Sequence, residues 1–326
     1  MRNWMQRLVA AARRPVGDAE SARLGVRVGA LAAGLALAGA LATSPDSGVA
    51  GGAVAAAGAM SAAVPDVPAR LVGLADPEKV AKVVAEGPYP GFDTNIYPGD
   101  RAMKAWKAEG TYDWVGYYLP APCHKDASWS GKRATLEDMG WGIAVVYVGQ
   151  QTWGRTPNPN AKVPAGTQCS ANLVSAEQGR KEAADAIART AAEGFPAGTA
   201  IFLDIEYMDG VPQAMRDYYM AWTDAVLADG RYRVGYYAHT KNAERIYADV
   251  SEVFARHGVR EEPPFWIAGG SNFHRKAKPS GVGHEFAAVW QGLLDTWERR
   301  NGVRLPVDVN VAAVPSPSSH EYATGD

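Results

Sequence analysis

Thr199–Glu206 reads TAIFLDIE, an unbroken apolar run that ends in two carboxylates. A run of this length without polar alternation is the pattern of a strand covered on both faces, as in a parallel sheet flanked by helices. Side chains alternate along a strand, so Asp204 and Glu206 point to one face and Ile205 to the other. At ~3.3 Å rise per residue, the Cα atoms of the two acids lie ~6.6 Å apart.

The same signal recurs on either side. Gly142–Val148 (GIAVVYV) is a second continuous apolar run. Shorter strand signals lie at Pro90–Asn95, Trp114–Leu119, Arg233–Ala238, Pro264–Ala268, Ala287–Gln291 and Pro306–Asn310. Helical patterns fall between them at Ala102–Ala108, Lys132–Met139, Ser175–Glu193, Pro212–Leu227, Asn242–Arg256 and, briefly, Asp295–Asn301. Ser175 with Gln178 is a capping-box signature, and Gly194 and Pro196 close that helix. Gly149–Asn172 is a long loop of the kind that is usually functional or disordered. Strands alternating with helices predict an α/β fold. Eight strand signals within residues 87–314 fit a single (β/α)8 TIM-type barrel, irregular between strands six and seven, where Gly269–Phe286 has few helix signals. The alternative is an open doubly wound sheet, but its glycine-rich phosphate turn after the first strand is missing.

The chain has 326 residues, 47% hydrophobic and 21% charged, values that exclude a collagenous, disordered or fully membrane-embedded protein. With 33 basic against 35 acidic residues, nothing points to a nucleic-acid partner. Six arginines in residues 1–27, the uncharged run Val28–Ala42 and the small-x-small ending Ala40-Leu41-Ala42 are the order of a secretory signal. Residues 1–42 are therefore expected to be a signal peptide, with an uncleaved N-terminal anchor as the alternative and the one membrane contact foreseen. Residues 43–86 are rich in Ala, Gly and Pro and are expected to be a flexible linker. Residues 315–326 are expected to be a disordered tail. The protein is then secreted or associated with the cell envelope.

Cys123 and Cys169 are an even count, and neither stands in a zinc-ligand spacing. In an exported chain they are expected to form a disulfide, two buried thiols being the alternative. In a barrel the loops that follow strands two and three are neighbours, so this bond would pin the long loop beside the mouth. No cofactor is called for. The six histidines show no H-x-H or H-E-x-x-H spacing, so no metal is expected, and no G-x-S-x-G elbow is present.

Barrel enzymes place their chemistry at the C-terminal ends of the strands. Asp93, Asp204, Glu206 and Asp308 fall at such ends and are expected to ring one mouth. Like charges this close and partly buried resist ionising together, so one acid keeps its proton beside an ionised neighbour. Glycosidic cleavage requires that pairing. Tyr118, Tyr147, Gln150, Tyr237, Trp266 and Gln291 also fall at strand ends and are candidates for substrate contact, each with core packing as its alternative.

The pieces GFDTN at the first strand, FLDIE at the fourth, FWIA at the sixth, VWQ at the seventh and VDVN at the eighth resemble the family 25 glycoside hydrolases, the lysozyme-like muramidases. GFDTN, VGYYL, GWGIAVVYVGQQ, the D-I-E strand and WQ are more similar still to a bacterial glycoside-hydrolase-like domain family of unknown function. The resemblance spans roughly residues 87–314. It implies a barrel with an acidic cleft for a cell-wall glycan, peptidoglycan being the expected partner. It also implies Glu206 as general acid, Asp204 and Asp308 as groups that orient an acetamido group or stabilise charge, and Asp93 completing the set. The long Gly149–Asn172 loop and the WQGLLD reading after strand seven depart from the lysozymes. A glycan-binding barrel that keeps the acidic cleft without turnover is the competing reading.

Overall fold

Each apolar run becomes a strand, and the strands close on one another. A computed structural model describes residues 87–158 and 160–320. The expected export segment and linker lie outside the described residues, as do Pro159 and residues 321–326. The chain divides into the units Met1–Val72 and Gly73–Asp326, and every described residue belongs to the second.

The strands are β1 (Tyr89–Asp93), β2 (Trp114–Tyr118), β3 (Gly142–Val148), β4 (Ala200–Ile205), β5 (Arg233–His239), β6 (Phe265–Ala268), β7 (Ala287–Arg300) and β8 (Val303–Ala312). They form a closed barrel in sequence order. The helices are α1 (Asp100–Glu109), α2 (Arg133–Asp138), α3 (Ala176–Ala192), α4 (Gln213–Asp229) and α5 (Thr240–Arg256). The Ser175 hydroxyl accepts from Gln178 N at 3.2 Å and caps α3, as its sequence predicts. β6 and β7 are joined without an α-helix, through the 3₁₀ turn Pro279–Val282, which is the expected irregularity.

The eighth strand departs from the expected pattern. β1 to β7 pair in parallel, but β8 runs antiparallel to both β7 and β1. The Asp295–Asn301 segment, expected as a helix, lies largely within β7. Asn301 and Gly302 take φ of 42° and 80°, the two left-handed positions of a tight hairpin turn. An Asn-Gly pair favours that turn, so β7 continues straight into β8. The hairpin packs on α1: Trp106 Nε1 donates to the Val303 carbonyl at 3.1 Å, and Asn301 Nδ2 to the Ala105 carbonyl at 2.9 Å. Glu298 accepts from the Tyr112 hydroxyl at 2.7 Å and pairs with Arg300 at 2.7 Å.

The stretch after Val314 is ordered as far as it is described. Ser318 is 2% exposed and bridges the diverging starts of β3 and β4. Its hydroxyl accepts from Val145 N at 2.8 Å and donates to the Ala200 carbonyl at 2.7 Å. Ala200 N donates to the Ser318 carbonyl at 2.8 Å, so the tail satisfies backbone groups that no strand reaches. Gly142 permits the approach, because a Cβ there would sit 1.9 Å from the Pro315 carbonyl oxygen. A composition of Pro and Ser carries no core signal, which is why this segment reads as disordered.

Candidate active site

The inward faces of the strands carry rings low in the barrel and carboxyls above them. Trp266 packs its ring on Trp114 at 5.3 Å, Tyr237 at 5.7 Å and Phe202 at 5.9 Å between centroids. Its Nε1 donates to Asn310 Oδ1 at 2.9 Å. Gly116 leaves the space that this ring and Asp93 fill, since a Cβ there would lie 2.7 Å from Asp93 Cβ and 3.5 Å from Trp266.

Asp93 is 3% exposed and is the hub. Its Oδ1 accepts from the Tyr118 hydroxyl at 2.7 Å. Its Oδ2 accepts from Asn310 Nδ2 at 2.8 Å and Gln291 Nε2 at 2.9 Å. The Gln291 side-chain Oε1 in turn accepts from the Tyr237 hydroxyl at 2.7 Å. Burial raises the Asp93 pKa above the ordinary carboxylate value, and the three donors oppose that rise. Burial and the neighbouring carboxylates hold the Tyr118 and Tyr237 phenols well above their ordinary value, so both remain hydrogen-bond donors.

Asp204 is 6% exposed, and its Oδ1 is buried with no hydrogen-bond partner. Burial first, then the charges of Glu206 and Asp93, hold this carboxyl well above the usual range. Asp204 and Glu206 thus form a carboxyl pair that resists ionising together. Glu206, just beyond β4, is the less buried of the pair. Gln151 fixes the backbone between them: its Nε2 donates to the Asp204 carbonyl at 2.7 Å, and its Oε1 accepts from Glu206 N at 3.0 Å.

Asp308 faces Asp93 across the β1–β8 seam. Its Oδ1 accepts from Asp295 N at 2.7 Å, in the stretch of irregular pairing between β7 and β8. Burial and the Asp93 charge hold its pKa well up.

The structure therefore gathers Asp93, Tyr118, Asp204, Tyr237, Gln291 and Asp308 at one end of the barrel, with Glu206 at its rim and the Trp266 ring packed beneath them in the core. Tyr147 and Gln150 stand elsewhere. Val148 pairs with Asp204 and Tyr147 with Leu203, so Tyr147 points to the helix layer and donates to Asp185 Oδ2 at 2.9 Å. Gln150 lies under the long loop. Its Nε2 donates to Glu182 Oε1 at 2.6 Å and to the Gln168 carbonyl at 2.7 Å, while its Oε1 accepts from Ser170 N at 2.9 Å. The residue at the mouth is its neighbour Gln151. Gly149 N turns back to the Tyr147 carbonyl at 3.1 Å and breaks the strand alternation that would have put Gln150 inward.

Asn310 is the other residue that sequence reasoning missed. It belongs to the VDVN stretch, two positions beyond Asp308 on the same strand face, and that spacing was the available signal. Cys123 and Cys169 form a disulfide with a Cα–Cα distance of 5.0 Å, which ties the long loop to the β2–α2 connection as expected. Among the described residues, no group of three or more His, Cys, Asp or Glu is arranged to hold a metal ion.

The barrel brings the acids of β1, of the end of β4 and of the antiparallel β8 to one mouth. The chain belongs to the family described as Rv2525c-like, glycoside hydrolase-like domain, whose model matches residues 104–312. No curated protein matches it by sequence. Among solved structures, an uncharacterized Bacillus stearothermophilus protein is 18% identical at a TM-score of 0.47, with 69% of this chain and 95% of that chain covered. The bacterial lysozyme from Streptomyces coelicolor is 18% identical at a TM-score of 0.42, covering 69% of this chain and 92% of that one. The Clostridium perfringens spore cortex lytic enzyme SleM is 12% identical at 0.44, covering 69% and 67%. At this distance no residue role is carried over from them.

Proposed function

We propose that the protein is an exported glycoside hydrolase that cleaves a bacterial cell-wall glycan, peptidoglycan, by carboxylate acid–base chemistry. In this reading Glu206, at the rim, protonates the leaving glycosidic oxygen. Asp204 and Asp308 orient the substrate's acetamido group or stabilise positive charge on the sugar, and Asp93 holds the ring of donors in place. The observation that carries the reading is Asp204, which is buried, has an unpartnered carboxyl oxygen and stands beside Glu206. Two carboxyls this close resist ionising together, so the pair retains one proton between them, and in this reading Glu206 delivers it at the rim. Export is supported by the arginine-rich segment before Val28–Ala42, and by the disulfide, a bond that persists in oxidising compartments.

The test is release of soluble muropeptides from purified cell walls by the parent chain and by Glu206→Gln. The expected loss is on the order of 10²-fold or more, the usual scale for a general acid. A parent that degrades cell wall no better than Glu206→Gln overturns the mechanism. One observation favours a glycan-binding barrel without turnover: the Asp308 carboxylate is already taken by the Asp295 amide of the protein's own β7. That reading expects cell-wall affinity, no released product from the parent and equal affinity in Glu206→Gln.

A further inference from the structure

Among the described residues, five large apolar side chains remain exposed: Ile96, Trp153, Leu293, Leu294 and Trp297. None of them lies on a helix. Ile96 follows β1, Trp153 follows β3, and the other three lie on β7 beyond Gln291. The exposed apolar surface thus belongs to the segments that leave the strand ends where the carboxyls gather.

Trp153 is the one whose placement the fold does not explain. Arg155 N donates to the Thr152 carbonyl at 2.9 Å and closes a four-residue turn around Trp153 and Gly154. Their φ values are 45° and 73°, the left-handed pair of a type I′ turn. The first of these positions is ordinarily Asn, Asp or Gly, and a bulky residue is disfavoured there. Packing does not compensate, because the residue is 41% exposed. A side chain held against its backbone preference, and left open to solvent, points to a ligand.

The turn is held in place from both sides. Two residues before Trp153, Gln151 makes its hydrogen bonds to the backbone of Asp204 and Glu206. Further along the loop, Gln150 holds the Gln168 carbonyl and Ser170 N, and the disulfide fixes Cys169. The turn that carries Trp153 therefore begins one residue after the point where the chain is fixed to the Asp204–Glu206 backbone. A pyranose ring with equatorial substituents carries a face of C–H bonds that fits an aromatic ring. Its hydroxyl and amide groups project from the edge, toward acceptors such as carboxylates.

We propose that Trp153 is the stacking platform of a sugar-binding subsite on the rim beside Asp204 and Glu206, accepting one pyranose unit of a β-linked glycan chain. This deepens the glycan reading above and rests on it. The test is calorimetric titration of the full chain with chitotetraose, with thermal melting of each variant and cell-wall degradation run in parallel. Trp153→Gly removes the ring and suits the left-handed backbone, so its Tm is expected to be unchanged or raised. Its Kd for chitotetraose is expected to weaken about tenfold or more, while Trp153→Tyr keeps most of the affinity.

If Trp153→Gly binds as the parent does, the subsite is overturned, whatever the protein does to cell walls. If both variants lose Tm together with binding, the ring serves the fold and the subsite is again overturned. If the parent binds, Trp153→Gly does not, and no cell wall is degraded, the subsite stands and the hydrolase reading falls. A parent that binds neither chitotetraose nor cell wall overturns both.

Discussion

Asp93 and Asp308 stand opposite each other on neighbouring strands that run in opposite directions. Because β8 is antiparallel, its later residue Asn310 reaches deeper, opposite Gly91, while Asp308 stays level with Asp93 at the mouth. One strand face thus delivers an acid at the rim and an amide donor below it, and both serve the Asp93 carboxylate or answer to its charge.

Asp204 sets a pH dependence of stability. Its pKa in the fold is raised, mainly by burial. The favourable contribution of its protonated form is present in full below the ordinary aspartate value and is lost as pH rises toward the folded value. Asp204→Asn removes that loss, so the Tm of Asp204→Asn minus that of the parent is expected to grow between pH 4 and pH 8. About 1 kcal/mol corresponds to about 2–4 °C in a domain of this size. A difference that stays flat, or shrinks with pH, contradicts a raised Asp204.

Gln151 is expected to position the acids. Gln151→Leu keeps the bulk but removes both hydrogen bonds to the Asp204–Glu206 backbone. Under the hydrolase reading kcat should fall about tenfold or more, with little change in KM, as misplacement of reacting groups by ~1 Å does. Steady-state kinetics on solubilised glycan checks this, and a change in KM alone would assign Gln151 to binding.

The Cys123–Cys169 bond closes a loop with a sequence separation of 46. Replacing both cysteines by Ala is expected to cost up to ~4 kcal/mol in the chain-entropy model. Urea unfolding measures the loss. Limited proteolysis should then cut between residues 153 and 168 in the variant before it cuts the parent.

Ser318→Ala strands the buried Val145 N–H and the Ala200 carbonyl. The expected cost is about 1–3 kcal/mol, the usual penalty for a buried polar group that loses its partner. A shift in the urea midpoint with an unchanged m-value would show it. No shift would mean that the described end of the chain does not support the barrel.

Much of the barrel was legible because its strands are local signals. TAIFLDIE and GIAVVYV are apolar without a break, and strand alternation alone puts Asp204 on the face opposite Ile205. The barrel order followed from strand and helix signals in succession. The acids at strand ends were legible for the same reason, as were the Ser175 cap and the pairing of the only two cysteines. The Asn301-Gly302 turn was also written in the sequence, but a short polar stretch with helix formers obscured it.

Other features depend on partners remote in the chain, and no local pattern encodes those. The turn at Gly149 exchanges the roles of Gln150 and Gln151, and its tight fit against Tyr218 belongs to α4. Tyr147 faces outward because β3 pairs with β4 in one particular register. Ser316–Ser318 is ordered because β3 and β4 diverge and leave backbone groups to be satisfied. Asp204 is the strongly perturbed acid because burial depends on everything packed around it, whereas its spacing from Glu206 is fixed by two residues of strand. Sequence determined which side chains share a face. Closure of the barrel, and the reversed direction of β8, decided which of those faces meet and how much water each acid keeps.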